Sequence, residues 1–175
     1  RAEEAAFPIL SANLVYAGEE RLVLEPYTII ERDGTRFGIL GLTDPSFVQG
    51  SELQNQVVVQ DPTEVAARYV PDLQAQADLI IVLSTLGRDA DQALATAVPG
   101  MDVIVGAGSS ILMTEPLRAG SSLIVQQGYL GEWLGVAHIR YDAVGEIVEA
   151  TARSVALTPD YADDPALAAI VARYK

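Results

Sequence analysis

Apolar residues along this chain fall in short runs separated by polar, glycine- and proline-bearing turns, the pattern of an α/β protein. Phe7 to Leu14 is a short apolar strand entering a polar end. Tyr27–Arg32 and Thr35–Leu42 are β-rich and flank Asp33-Gly34. That dipeptide tolerates the positive φ angles of a type I′ turn, so the two runs predict a hairpin whose second arm ends in a loop, Gly41 to Pro45. A polar connection follows and ends in Val57-Val58-Val59. Asp61-Pro62-Thr63-Glu64 then opens a helix, with Asp61 as cap, Pro62 in the first turn and Glu64 suiting the positive helix end. This helix is predicted to reach about Ala77, with a kink or break at Pro71.

Asp78-Leu79-Ile80-Ile81-Val82-Leu83 is a continuous apolar run, which fits a strand buried on both faces. A helix from about Asp89 to Val98 follows, and Asp102-Val103-Ile104-Val105 repeats the buried-strand pattern. Strand, helix and strand at this spacing form a βαβ unit, so the two strands should be parallel. After residue 120 the style changes. Ser122–Gln127, Gly135–Tyr141 and Gly145–Leu157 are β-rich with glycine turns and predict an antiparallel meander. Asp163-Asp164-Pro165 opens a last helix, Ala166 to Tyr174. The predicted fold class is α/β: a layered α+β sandwich with a mixed sheet, a parallel βαβ core and a C-terminal meander. Residues 1–158 form the domain and 159–175 a linker and helix.

Composition narrows the partners. The 175 residues are 50% hydrophobic and only 6% aromatic, so Val, Ile, Leu and Ala must build the core. Asp and Glu total 24 against 11 Lys and Arg, a net charge of −13. No basic stripe exists to neutralise nucleic-acid phosphates, and an anionic membrane surface would repel the chain. Solubility is the simple reading of the charge. No cysteine is present, so disulfides, thiolate catalysis and cysteine metal sites are excluded. Arg1-Ala2-Glu3-Glu4 is no signal peptide, and no apolar run approaches the ~20 residues of a membrane span. A start at Arg suggests a processed or excised piece.

Candidate chemistry lies where the parallel strands end, because ligands of such sheets bind outside the carboxyl ends of the strands. Thr85 and the loop Gly106-Ala107-Gly108-Ser109-Ser110 should be neighbours there, with Asp44 on the same edge. Gly106, Gly108, Ser109 and Ser110 could offer amides and hydroxyls to a small anion. The loop lacks the Gly-Lys-Ser/Thr of a phosphate-binding loop, however, and reads more simply as a tight turn. Ser84, Ser109 and Ser110 need a nearby base to act as nucleophiles. The single histidine, His138, belongs to an alternating strand in the meander and reads as solvent-facing, which leaves no Ser-His-Asp arrangement. Asp89 and Asp91 suit the start of the second helix, and Asp160, Asp163 and Asp164 read as solvated capping residues. They do not have the pattern of a calcium loop.

Four ordered stretches carry a resemblance: Phe7–Leu14, Gly34–Thr43, Ala77–Gly87 and Val98–Gly106, continued by Ile124–Gly128 and Leu134-Gly135. Together they resemble the second half of the 5′-nucleotidase branch of the calcineurin-like metallophosphoesterases, over about residues 7 to 160. The resemblance implies that family's fold and a hydrolase in which two divalent metal ions polarise a phosphate ester and activate water. It also implies ligands in Asp-x-His, Gly-Asp and Gly-Asn-His-Glu motifs, none of which this sequence contains; it begins just after the place of the last. Three further histidines are implied at positions that are here Thr85, Gly108 and Ser110. Hydroxyls replace imidazole poorly at a transition metal, and glycine has no side chain. No catalytic residue, metal ligand or cofactor is therefore expected. The expected role is a non-catalytic scaffold or interaction module. The alternatives are a family hydrolase of which this chain is a fragment, and a small-anion-binding domain. Apolar sheet surface prepared for a missing half predicts self-association or a protein partner, and an extracytoplasmic location is expected.

Overall fold

A computed structural model describes residues 4–142 and 147–174. The positions Arg1–Glu3 of the leader reading, Gly145 of the last predicted strand and Lys175 lie outside the described residues.

At the centre is a six-stranded mixed sheet. Its strands are β2 (Tyr27–Arg32), β3 (Thr35–Leu42), β5 (Leu79–Ser84), β6 (Val103–Gly106), β7 (Leu117–Ala119) and β8 (Ser122–Val125). The order is β2-β3-β5-β6-β8-β7, with β3, β5, β6 and β8 parallel and β2 and β7 antiparallel at the two edges. The predicted hairpin is present, and Asp33 and Gly34 both take positive φ, 51° and 79°, as a type I′ turn requires. The first strand forms later than expected. Residues 7–13 lie outside any strand, tied to the sheet where the Ala12 amide donates to the Gly41 carbonyl. Strand β1 is Leu14–Tyr16, paired antiparallel with β4 (Val57–Val59).

Two helices, α1 (Pro62–Gln74) and α2 (Arg88–Ala97), cover one face of the sheet. Asp61 caps α1 by accepting from the amides of Thr63 and Glu64 at 2.8 and 2.9 Å. Pro71 does not break α1. It sits in the last turn, where the helix loses one hydrogen bond but continues to Gln74. The helices bury Val65, Ala66, Val70, Leu73, Leu94 and Ala95 against a row of facing strand residues, Leu40, Val82, Ile104 and Ile124, which register places side by side.

The other face behaves differently from the expectation of strands buried on both sides. Leu83 and Val105, adjacent in register, remain 44% and 41% exposed. This face is closed toward β8, where the fully buried Leu123 shares a cavity with Ala150, Thr151 and Ala152, and toward β3, where Leu10 packs directly over Gly41, the register partner of Leu83. Ala150, Thr151 and Ala152 belong to β10 (Ile147–Ala156), which pairs antiparallel with β9 (Trp133–Tyr141) as a separate two-stranded element. The C-terminal antiparallel element is thus a pair. The first stretch of the predicted meander, Ser122–Val125, instead enters the central sheet parallel to β6. Burial, and next the Asp102 charge, push the Tyr141 phenol up to about 12, consistent with β9 ending close to the start of β6. The last helix, α3 (Pro165–Val171), is capped by Asp164 and exposed along its whole length.

Candidate functional site

The parallel strands deliver their carboxyl ends to one edge. Thr85 follows β5, and the loop 106–110 follows β6, as the βαβ reading requires. The Ala107 amide donates to the Ser84 carbonyl at 2.7 Å, joining the two loops directly. Asp44, after β3, completes the edge: its amide donates to Thr85 Oγ1 at 3.0 Å, while the Thr85 amide donates to the Leu42 carbonyl. Asn13 holds this third loop. Fully buried, it accepts from the Thr43 amide at 2.9 Å and donates to the carbonyls of Thr43 and Gln60. That explains the polar end of the first apolar stretch, since a buried amide side chain is tolerated where its hydrogen bonds are met.

The three positions singled out by the resemblance gather here but do not form a ligand set. Thr85 spends its hydroxyl oxygen on the Asp44 amide. Gly108 has φ +81° and lies so close to the Thr85 turn that an added Cβ would overlap the Thr85 carbonyl oxygen. Ser110 is exposed. Ser109 is gripped by Gln126 beyond β8: Nε2 donates to its carbonyl and, at 2.7 Å, to its hydroxyl, which lies 3.0 Å from Oε1. Among the described residues no group of three or more His, Cys, Asp or Glu side chains could hold a metal ion. The residues present at this edge therefore do not fit a dinuclear metal centre of imidazoles and carboxylates.

Asp89 and Asp91 both lie in the first turn of α2, as expected, but their surroundings differ. Asp89 is exposed beside Arg88, but Asp91 has no solvent exposure. Ser84 Oγ donates to its Oδ1, and Ser84 Oγ accepts from the Leu86 amide at 3.1 Å. The other oxygen, Oδ2, has no partner among the described residues and faces Gly106, where an added Cβ would stand 2.7 Å from it. Burial pushes the Asp91 carboxyl up from 3.8 to about 6, against the lowering effect of the Ser84 hydrogen bond. The signal was present in the spacing: Asp91, Leu94, Ala95 and Val98 are i, i+3, i+4 and i+7, so Asp91 falls on the buried stripe of α2.

His138 is exposed on β9, paired across from Thr151, far in topology from the strand-end loops. Asp160, Asp163 and Asp164 are exposed, and Asp164 caps α3. Ser84 is buried, so it is no accessible nucleophile.

Comparison with known proteins gives a consistent picture. No family model matches the chain. The 5′-nucleotidase of Diplobatis ommata is 25% identical over 194 residues, covering 97% of this chain and 33% of the relative. The crystal structure of a 5′-nucleotidase precursor from Thermus thermophilus superposes with a TM-score of 0.85 at 29% identity, over 98% of this chain and 38% of that one. A sulfate thiohydrolase from the same species, solved in complex with glycerol, superposes with a TM-score of 0.86 at 19% identity, over 97% of this chain and 32% of that chain, and so shares the fold. The chain spans between 12% and 36% of the length of the curated relatives compared.

Proposed function

We propose that this chain, related along its length to part of the 5′-nucleotidase-type metallophosphoesterases, serves as a non-catalytic module of that family, a scaffold or interaction element. The observation that carries this reading is the donor set at the carboxyl edge. Thr85 is committed to the Asp44 amide, Gly108 has no side chain and Ser110 offers only a hydroxyl. Elemental analysis of the dialysed chain, together with a phosphatase assay in Mn²⁺ or Zn²⁺, tests it. The expected result is less than stoichiometric metal and no metal-dependent hydrolysis; stoichiometric metal with activity on a nucleoside monophosphate would sink it.

The interaction role rests on the open face of the sheet. Leu83 and Val105 lie side by side with large apolar area exposed, and burying such area contributes roughly 25 cal/mol per Å² before association costs. The proposed occupant is a second copy or a protein partner. Sedimentation at low micromolar concentration should show associated species that Leu83→Asp with Val105→Asp disperses. A strictly monomeric parent that binds no apolar dye would remove this role.

The second reading is a hydrolase of the phosphoesterase family of which this chain is one part. The activities for which the relatives are named favour it, whereas the strand-end geometry favours the first. A parent sequence holding complete metal motifs, with activity that survives Thr85→Ala, would decide for the hydrolase. Small-anion binding at Gly106–Ser110 is a third reading, tested by phosphate titration against thermal unfolding. The Asp91 carboxylate beside Gly106 weighs against it, since like charges repel in a desolvated site. An extracytoplasmic location belongs to the same proposal and is tested by fractionation. Among the described residues no helix is long and apolar enough to cross a membrane.

A further inference from the structure

We propose that the carboxyl edge is locked by its own backbone into a metal-free clasp, so that restoring imidazoles at Thr85, Gly108 and Ser110 does not create a metal site. This deepens the non-catalytic reading and rests on it: the first concerns the side chains present at the edge, the second the backbone that surrounds Gly108.

The lock has three parts. The Thr85 turn and the 106–110 loop are in direct contact, with the Ala107 amide on the Ser84 carbonyl at 2.7 Å and Gly108 pressed against the Thr85 carbonyl. At Gly108 the atoms meeting an added Cβ are backbone: Thr85 O in outright overlap, Thr85 C at 2.8 Å and Gly87 N at 3.2 Å. Backbone cannot swing aside as a flexible side chain does, and φ +81° is itself unfavourable for any residue with a Cβ. The Thr85 hydroxyl is drawn toward the β3 loop by the Asp44 amide, away from the role of a metal donor. From the other side, Gln126 fixes Ser109 through both its carbonyl and its hydroxyl, which pins the loop just beyond its second glycine. Gly106 leaves just enough room for the buried Asp91 carboxylate. An imidazole at position 108 therefore cannot be accommodated without moving either the Thr85 turn or the loop that Gln126 holds.

Four variants test the lock: Gly108→Ala, Ser110→Ala, the pair Thr85→His with Ser110→His, and the triple Thr85→His, Gly108→His, Ser110→His. Each is melted, and Mn²⁺ binding is followed by calorimetry and by the spin-resonance signal of the ion. Gly108→Ala should raise the unfolding equilibrium constant at least about tenfold, because it adds a steric clash to a left-handed residue, whereas Ser110→Ala should leave it unchanged. The triple variant should bind Mn²⁺ no more tightly than the parent and melt lower. The double variant, which keeps Gly108 and therefore the fold, should also fail to take up one equivalent. Stoichiometric, imidazole-ligated Mn²⁺ in either histidine variant would overturn the lock, and so would a Gly108→Ala chain that melts with the parent. Metal uptake by the unmodified chain would instead overturn the non-catalytic reading, so the two failures are distinguishable.

Discussion

The two faces of the central sheet are built from the same strands and have opposite fates. On β5, Ile80 and Val82 are buried beneath the helices while Leu83, one residue on, is 44% exposed. On β6, Ile104 is fully buried and Val105 is 41% exposed. Successive side chains of a strand point to opposite faces, so a continuous apolar run supplies two apolar faces regardless of what covers them. The covering differs. Helix α1 lies in the connection from β3 to β5 and α2 in the connection from β5 to β6, and both fold back on one side, as right-handed crossovers between parallel neighbours must. On the second side Leu10 packs over Gly41 and the β9–β10 pair reaches Leu123, but Leu83 and Val105 stay open between them. An apolar run thus states what a strand could bury; what it does bury depends on which elements lie nearby.

The largest difference between the faces should appear in a pair of truncations. Leu40→Ala, under the helices and without exposure, should cost about 2–5 kcal/mol in a urea titration. Leu83→Ala should cost about 1 kcal/mol or less in the monomer, because part of its surface stays in water in both states. Equal losses would mean that the second face is covered in solution.

Asp91 probes the polar end of the covered face. Its folded-state pKa is raised from 3.8 to about 6 by burial, with the Ser84 hydrogen bond opposing. The folded chain therefore binds this proton more tightly than the unfolded chain. The resulting stabilisation is fully present below the unfolded value and is lost as pH rises through the folded one. Between about pH 4 and pH 7 the stability difference between the parent and Asp91→Asn should change by on the order of 3 kcal/mol, with the parent losing ground as pH rises. A pH-independent difference would mean that Asp91 is reached by water.

A smaller effect is expected where α1 is anchored. Asp61→Ala removes the acceptor for the Thr63 and Glu64 amides and should lower the stability read from the same urea titration by about 1 kcal/mol. The least effect is expected on the exposed β9–β10 pair. Arg140 and Glu149 form an ion pair at 2.9 Å with both side chains more than half in solvent. Breaking it with Arg140→Ala should shift stability by about 0–1 kcal/mol at most. A large loss there would show that the pair is covered by something other than water, which again bears on how open the second side is.

Elements with local causes could be read from the chain alone. The Asp33-Gly34 turn needs only two residues that accept positive φ, and the Asp61 cap needs only an acceptor one position before Pro62. The parallel βαβ unit follows from strand and helix spacing, and that unit places Thr85 beside the 106–110 loop. The family relation was also legible, because it rests on ordered stretches and not on any single contact. Other features required the folded neighbourhood. Ser122–Val125 joins β6, since a strand's partner is chosen by which open edge it reaches. Asp91 lies inside, because burial depends on what packs over a helix position and not on the residue's charge. Gly108 is pressed on the Thr85 carbonyl, a close approach between residues well separated in the chain that no local pattern encodes. Local chemistry fixes φ angles and caps; burial and close approach are properties of neighbours, and neighbours exist only once the chain has folded.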